Sequence, residues 1–141
     1  MSRFFRLAGL ALVLVLAPVV AIASDPGPYL YEQLRKPEYK ATFTALFKGQ
    51  PHVAPWLKRY LHNRDGVDAP METRTVEGET YELYAVCQPH NCGGNFIYVL
   101  FTPGGAHAWV MFTKDGENER FFGDPGDAMQ SALRAAARLP Q

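Results

Sequence analysis

Cysteine is scarce in this chain: 141 residues carry two, Cys87 and Cys92, which excludes a scaffold laced by several disulfides. The pair encloses four residues, so the C-x-x-C spacing of thiol–disulfide exchange is missing, and a Cys-His nucleophile would need a free thiolate. A zinc centre needs about four protein ligands, or three and a water; the cluster offers Cys87, His90 and Cys92 in a ring too tight to converge on one ion. H-E-x-x-H, G-x-S-x-G and a Gly-rich phosphate loop are also missing. These gaps argue against an enzyme and imply no cofactor and no metal. A metal or redox protein remains the minor alternative.

Positive charge is not in excess, and long apolar runs are few. The one hydrophobic run, Leu7 to Val20, is shorter than the ~18 to 20 residues of a spanning helix. It follows Arg3 and Arg6 and leads to Ala21-Ile22-Ala23, the pattern of a secretory signal peptide cleaved after Ala23. Residues 1–23 are therefore expected to be the signal peptide, and 24–141 a single exported domain. No cysteine follows the run closely, so neither a membrane anchor nor a lipoprotein anchor is expected. Without Arg3 and Arg6 the domain has 12 basic residues against 14 acidic, a formal −2, which argues against nucleic acid and slightly favours a basic partner. An oxidising compartment would let Cys87 and Cys92 pair. So close a bridge gains little loop-closure entropy, and its role would be to shape a loop.

Periodicity divides the domain into a helical first half and an extended second half. A short helix is expected over Tyr29–Lys36, ending before Pro37. Tyr39, Phe43, Leu46 and Phe47 mark one apolar helix face, and Trp56, Leu57, Tyr60 and Leu61 another that starts near Pro55. These aromatic stripes read as core against a sheet, not as a ligand groove. Strands are expected at Thr73–Val76 and Thr80–Val86 about Glu77-Gly78-Glu79, with Tyr81, Leu83, Ala85 and Cys87 on one face. Further strands follow at Asn95–Thr102, apolar on both faces and so central, at Ala106–Thr113 and at Glu119–Phe122. Asp124 as N-cap and Pro125 at the first position would open a last helix with Met129, Leu133, Ala136 and Ala137 inward. The expected fold is α+β: a five-stranded antiparallel sheet flanked by helices, an α/β sandwich, with the cysteine loop protruding between strands two and three.

That loop, Cys87-Gln88-Pro89-His90-Asn91-Cys92-Gly93-Gly94, is the most specialised stretch. Pro89 fixes one φ angle beside the histidine, and the glycine pair is expected to allow a sharp exit. A closed ring would present the His90 imidazole on a stiff tip that loses little entropy on entering a cleft. A bridged turn alone would explain the cysteines and Pro89 but not a histidine at the tip. A neutral imidazole can donate one hydrogen bond and accept another, which suits a pocket holding two carboxyl groups. Of the other histidines, His52 and His62 read as solvated surface, and His107 as a satisfied sheet residue between Ala106 and Ala108.

Cys-x-Pro-His-x-Cys after a strand, with the Trp56 helix before it and Phe101, Ala108-Trp109 and Phe122-Gly123-Asp124-Pro125 after it, resembles the inhibitor of vertebrate lysozyme (Ivy) family. The likeness runs from about Tyr29 to Leu139. It implies a periplasmic protein of Gram-negative bacteria, generally a homodimer, whose disulfide-closed loop enters the active-site cleft of c-type lysozyme. It implies that His90 bonds the enzyme's catalytic carboxylates, with Pro89, Gln88 and Asn91 beside it. The family loop commonly reads Cys-Lys-Pro-His-Asp-Cys, and here Gln88 and Asn91 replace both charges. Charge-assisted bonds are worth ~1.5 to 3 kcal/mol when well made, so their loss could shift affinity by roughly ten- to a hundredfold. It could also shift the preferred target, and the alternative partner is an endogenous lytic transglycosylase.

Overall fold

The computed structural model describes residues 25–138; the expected signal peptide lies outside them. The helical half forms three short helices, α1 (Leu30–Gln33), α2 (Pro37–Ala45) and α3 (Pro55–Asn63). Proline opens both α2 and α3, where its missing N–H costs nothing and its fixed φ suits the first turn. The extended half holds β1 (Val67–Asp68), β2 (Glu72–Val76), β3 (Glu79–Cys87), β4 (Phe96–Phe101), β5 (Ala108–Lys114) and β6 (Asn118–Phe122), and the described chain closes with α4 (Asp127–Ala137).

All pairings are antiparallel, in the order β1-β3-β4-β5-β6, with β2 also on β3. The sheet therefore has six strands in five lanes, where five strands were expected. Strands β1 and β2 share the free edge of β3, Val67 opposite Cys87 and Glu72 opposite Leu83. Pro70 lies between them, and a residue without an N–H interrupts a ladder. The β2–β3 hairpin turns on two residues, Glu77 (φ 50°) and Gly78 (φ 84°), the double positive φ that matches the twist of the flanking strands.

Helices cover both faces. On one side Tyr84, Val86, Ile97, Val99, Phe101 and Val110 pack under Leu30, Phe43, Trp56, Leu57 and Tyr60 of α1–α3. On the other, Leu83, Ala85, Tyr98, Leu100 and Met111 pack under Leu133 and Ala136 of α4. The aromatic stripes are core, as expected, and β4 is the central strand, inaccessible along both faces from Ile97 to Phe101. The face of β3 expected to be apolar meets α4; Tyr84 and Val86 bury its other face as well.

Two local expectations shift. Helix α4 starts at Asp127 with Gly126 as its N-cap; Asp124 instead takes a positive φ of 52° in the turn out of β6, so the chain must reverse before a helix can begin. His107 is exposed just before β5 and is not a sheet residue. Its main chain exchanges bonds with Thr102, N–H to Oγ1 at 3.0 Å and carbonyl from the Thr102 N–H at 3.0 Å, and its ring stacks on Trp109.

Candidate functional site

Strand β3 delivers Cys87 to the end of the sheet, where its last rung with β4 is Cys87 opposite Phe96. Beyond the rung, the Gln88 N–H donates to the Asn95 carbonyl at 2.9 Å and closes the loop at its neck. The Asn91 N–H then donates to the Gln88 carbonyl at 3.0 Å, so Gln88-Pro89-His90-Asn91 is a β-turn with proline second and histidine third. His90 has φ 61°. Proline second with positive φ third is the type II pattern, and histidine is one of the few residues other than glycine found repeatedly in that region. Holding it there costs on the order of 1 kcal/mol. The Cys87–Cys92 disulfide, Cα atoms 5.1 Å apart, spans the same turn. Cys87 is buried and His90 exposed, so one end of the ring is set in the core and the other faces solvent.

The loop returns through a close backbone contact. The Gly94 carbonyl accepts from the Gly116 N–H at 3.0 Å and from Thr113 Oγ1 at 3.1 Å, while Thr113 Oγ1 accepts from the Phe96 N–H at 3.3 Å. A Cβ on Gly94 would lie 2.6 Å from Gly116 N and 2.7 Å from the Asp115 carbonyl carbon. The glycine pair was expected to serve a sharp exit, yet neither Gly93 nor Gly94 has a positive φ. Gly94 is needed for contact distance, and Gly93 has open space around it.

Inside the ring, Asn91 Nδ2 reaches Gln88 Oε1 at 3.5 Å, the long end of a hydrogen bond. The two neutral replacements thus face each other. Beside the ring is a mostly apolar groove of about 290 Å³ lined by Val67, Asp68, Ala69, Ala85, Phe96 and the two cysteines. Val67 is 53% exposed, the one large hydrophobic residue left so open among the described residues.

On the other face of β1, Asp68 Oδ1 accepts from the Tyr60 hydroxyl at 2.7 Å and the Tyr31 N–H at 3.3 Å, tying α1 and α3 to the strand behind the loop. Burial raises the Asp68 pKa above the usual carboxylate value, against those bonds and the nearby Arg64. Burial, then Asp68, pushes the Tyr60 phenol far above its ordinary value.

His52 and His62 are exposed and away from the loop's hydrogen bonds, so the structure groups only the residues at 87–92 expected to act together. Both cysteines are consumed in the disulfide. Thr113, Gly116 and Val67 were missed as parts of the site. The Thr113 and Gly116 contacts arise between strands about twenty residues apart, and β1 has too few residues to show a period.

The model of the family described as inhibitor of vertebrate lysozyme (Ivy) matches residues 38–138, which include the whole loop. Among curated proteins, an inhibitor of vertebrate lysozyme from Pseudomonas aeruginosa is 38% identical over 100 residues, 71% of this chain and 61% of its own length. An uncharacterised protein of Yersinia pestis is 30% identical over 105 residues, 67% of this chain and 66% of its own. The inhibitor of vertebrate lysozyme of Escherichia coli K12 is 33% identical over 64 residues, 45% of this chain and 36% of its own. The chain thus spans less than two thirds of each of these relatives. With the family model covering more than half of the sequence and the antiparallel sheet presenting the cysteine-closed loop inside the matched region, this chain belongs to the inhibitor of vertebrate lysozyme (Ivy) family.

Proposed function

We propose that the protein is a periplasmic inhibitor of c-type lysozyme that enters the enzyme's active-site cleft with the Cys87–Cys92 turn. One observation carries the reading: an exposed histidine at the strained corner of a disulfide-closed turn whose neck is pinned to the sheet. Lysozyme works with one protonated and one ionised carboxyl group. A neutral His90 imidazole can accept from the first and donate to the second. Such a contact blocks proton transfer and substrate entry at once. Pro89, Gln88 and Asn91 form the shoulders of the wedge, and the closed ring lowers the ordering cost of binding. The disulfide suits an oxidising compartment. A homodimer belongs to the same reading, with β6 and β2 as free sheet edges; sedimentation equilibrium reads that part separately.

The test is lysis of a cell-wall suspension by c-type lysozyme, titrated with the oxidised domain and with His90→Ala. Wild type is expected to inhibit stoichiometrically. The variant is expected to be at least about tenfold weaker, the loss of ~1.4 kcal/mol that one well-made bond to a charged group exceeds. Equal potency of folded variant and wild type rejects the role of His90. Fold-preserving reduction of the disulfide should also weaken inhibition.

A second reading follows from the neutral Gln88–Asn91 pair: the loop is aimed at an endogenous lytic transglycosylase. Retention of a transglycosylase from periplasmic extract, together with no affinity for c-type lysozyme, favours it.

A further inference from the structure

A cleft of about 640 Å³ opens between α1, the start of α2, the end of α3 and β1, and shares only Asp68 with the groove beside the loop. Three of its lining side chains are cationic, Arg35, Lys40 and Arg64, against one acid, Asp68. Neither Arg35 nor Lys40 forms an ion pair among the described residues. Arg64 spends one nitrogen on the α3 C-terminus, where Nη1 donates to the Tyr60 and Leu61 carbonyls. Asp68 is half-buried, and its Oδ1 is already taken by the Tyr60 hydroxyl and the Tyr31 N–H. The cleft therefore offers an excess of positive charge to a ligand. Its rim adds Tyr29 and Tyr31, half-buried rings stacked at 5.6 Å and 16°.

Positive charge alone would suit any anion. A flat aromatic face beside it narrows the choice, because the apolar C–H face of a pyranose can lie on a tyrosine ring while hydroxyls bond Asn63 and the free oxygen of Asp68. Arginine matches a carboxylate with paired N–H donors. We infer that this cleft is a binding site for an acidic saccharide, its carboxylate held by Arg35, Lys40 and Arg64 and a sugar ring resting on the Tyr29–Tyr31 stack. The site does not share residues with the cysteine loop and stands whether or not the loop inhibits lysozyme.

The experiment is a titration of the isotope-labelled oxidised domain, followed by amide chemical shifts at low ionic strength, with three probes. These are a hyaluronate tetrasaccharide, neutral chitotetraose and inorganic phosphate. The expected result is saturable shifts at residues 29–35 and 63–68 with the hyaluronate fragment, and binding at least about tenfold weaker for the other two. Arg35→Ala/Lys40→Ala and Tyr31→Ala should each weaken it by a similar factor, and Tyr31→Phe should restore it. Equal binding of phosphate would reduce the cleft to a general anion site and overturn the saccharide assignment. Equal binding of chitotetraose would remove the carboxylate from it. No shift with any probe overturns the site altogether.

Discussion

Two neighbouring glycines in the loop should respond in opposite ways to the same added methyl group. At Gly94 a Cβ would meet Gly116 N at 2.6 Å, the Asp115 carbonyl carbon at 2.7 Å and Asp115 Cα at 3.0 Å. All three are main-chain atoms, so no flexible side chain can swing aside. The loop and the β5–β6 turn must separate by several tenths of an ångström, an overpacking cost of ~1–3 kcal/mol. The separation also stretches the two bonds that the Gly94 carbonyl accepts, from Gly116 and Thr113, each worth ~0.5–1.5 kcal/mol. Gly94→Ala should therefore destabilise the domain by about 2–4 kcal/mol, a large part of a typical total stability of ~5–15 kcal/mol. At Gly93 no atom lies within 4 Å and φ is not positive, so Gly93→Ala should be neutral or stabilise by up to ~1 kcal/mol through the unfolded chain. Urea denaturation of both oxidised variants, followed by the fluorescence of Trp56 and Trp109, measures the difference. Equal midpoints for the two variants would refute the claim that the loop is pinned to that turn. Inhibition by residual folded Gly94→Ala should weaken too, since the wedge loses its footing.

Four further outcomes follow from the same contacts. Thr113→Val keeps the shape of a buried side chain but takes away the acceptor of the Phe96 N–H and one of the two bonds that the Gly94 carbonyl accepts, the one from Gly116 remaining; it should cost ~1–3 kcal/mol by urea denaturation. Gln88→Lys/Asn91→Asp places an exposed ion pair across the ring, worth ~0.2–1 kcal/mol, so the lysozyme inhibition constant should move by less than about tenfold; a larger gain would show that these charges touch the enzyme itself. Asp68 has a raised folded pKa, chiefly from burial, so the folded state holds its proton more tightly and its contribution declines as pH rises from the unfolded pKa through the folded one. Asp68→Asn should accordingly gain in stability relative to wild type between pH 3 and pH 7, read by urea midpoints along that range, and a constant difference would contradict the burial. Leu133→Ala, at a fully buried position on α4, should cost about 2–5 kcal/mol, with inhibition per folded molecule unchanged because the hydrogen bonds that hold the loop run to β4, β5 and the turn after β5 and not to α4.

Much of the fold is legible because it is local. The aromatic positions of α2 and α3, the double apolarity of Phe96 to Phe101, and the Glu77-Gly78 turn each carry their signal within a dozen residues. The loop is equally plain, since two cysteines, a proline and a histidine in six positions restrict the backbone by covalent chemistry alone. The missed α4 boundary had a local cause: Asp124-Pro125 carries a helix-start signature, but the turn out of β6 uses Asp124 first.

What the chain order could not disclose is which separate segments meet. Val67–Asp68 is a strand only because the edge of β3 is free there, and two residues have no period of their own. Gly94 looks like a flexible joint from its neighbours and proves to be a contact, because Asp115 and Gly116 arrive from the next hairpin. The cationic cleft gathers residues from Tyr29 to Asp68 that share no spacing. Covalent restriction and short-range periodicity, which act between near neighbours, wrote the turn that carries His90 into the sequence; the neck that holds it and the surfaces around it depend on sheet order and close approach, which exist only once distant strands have packed.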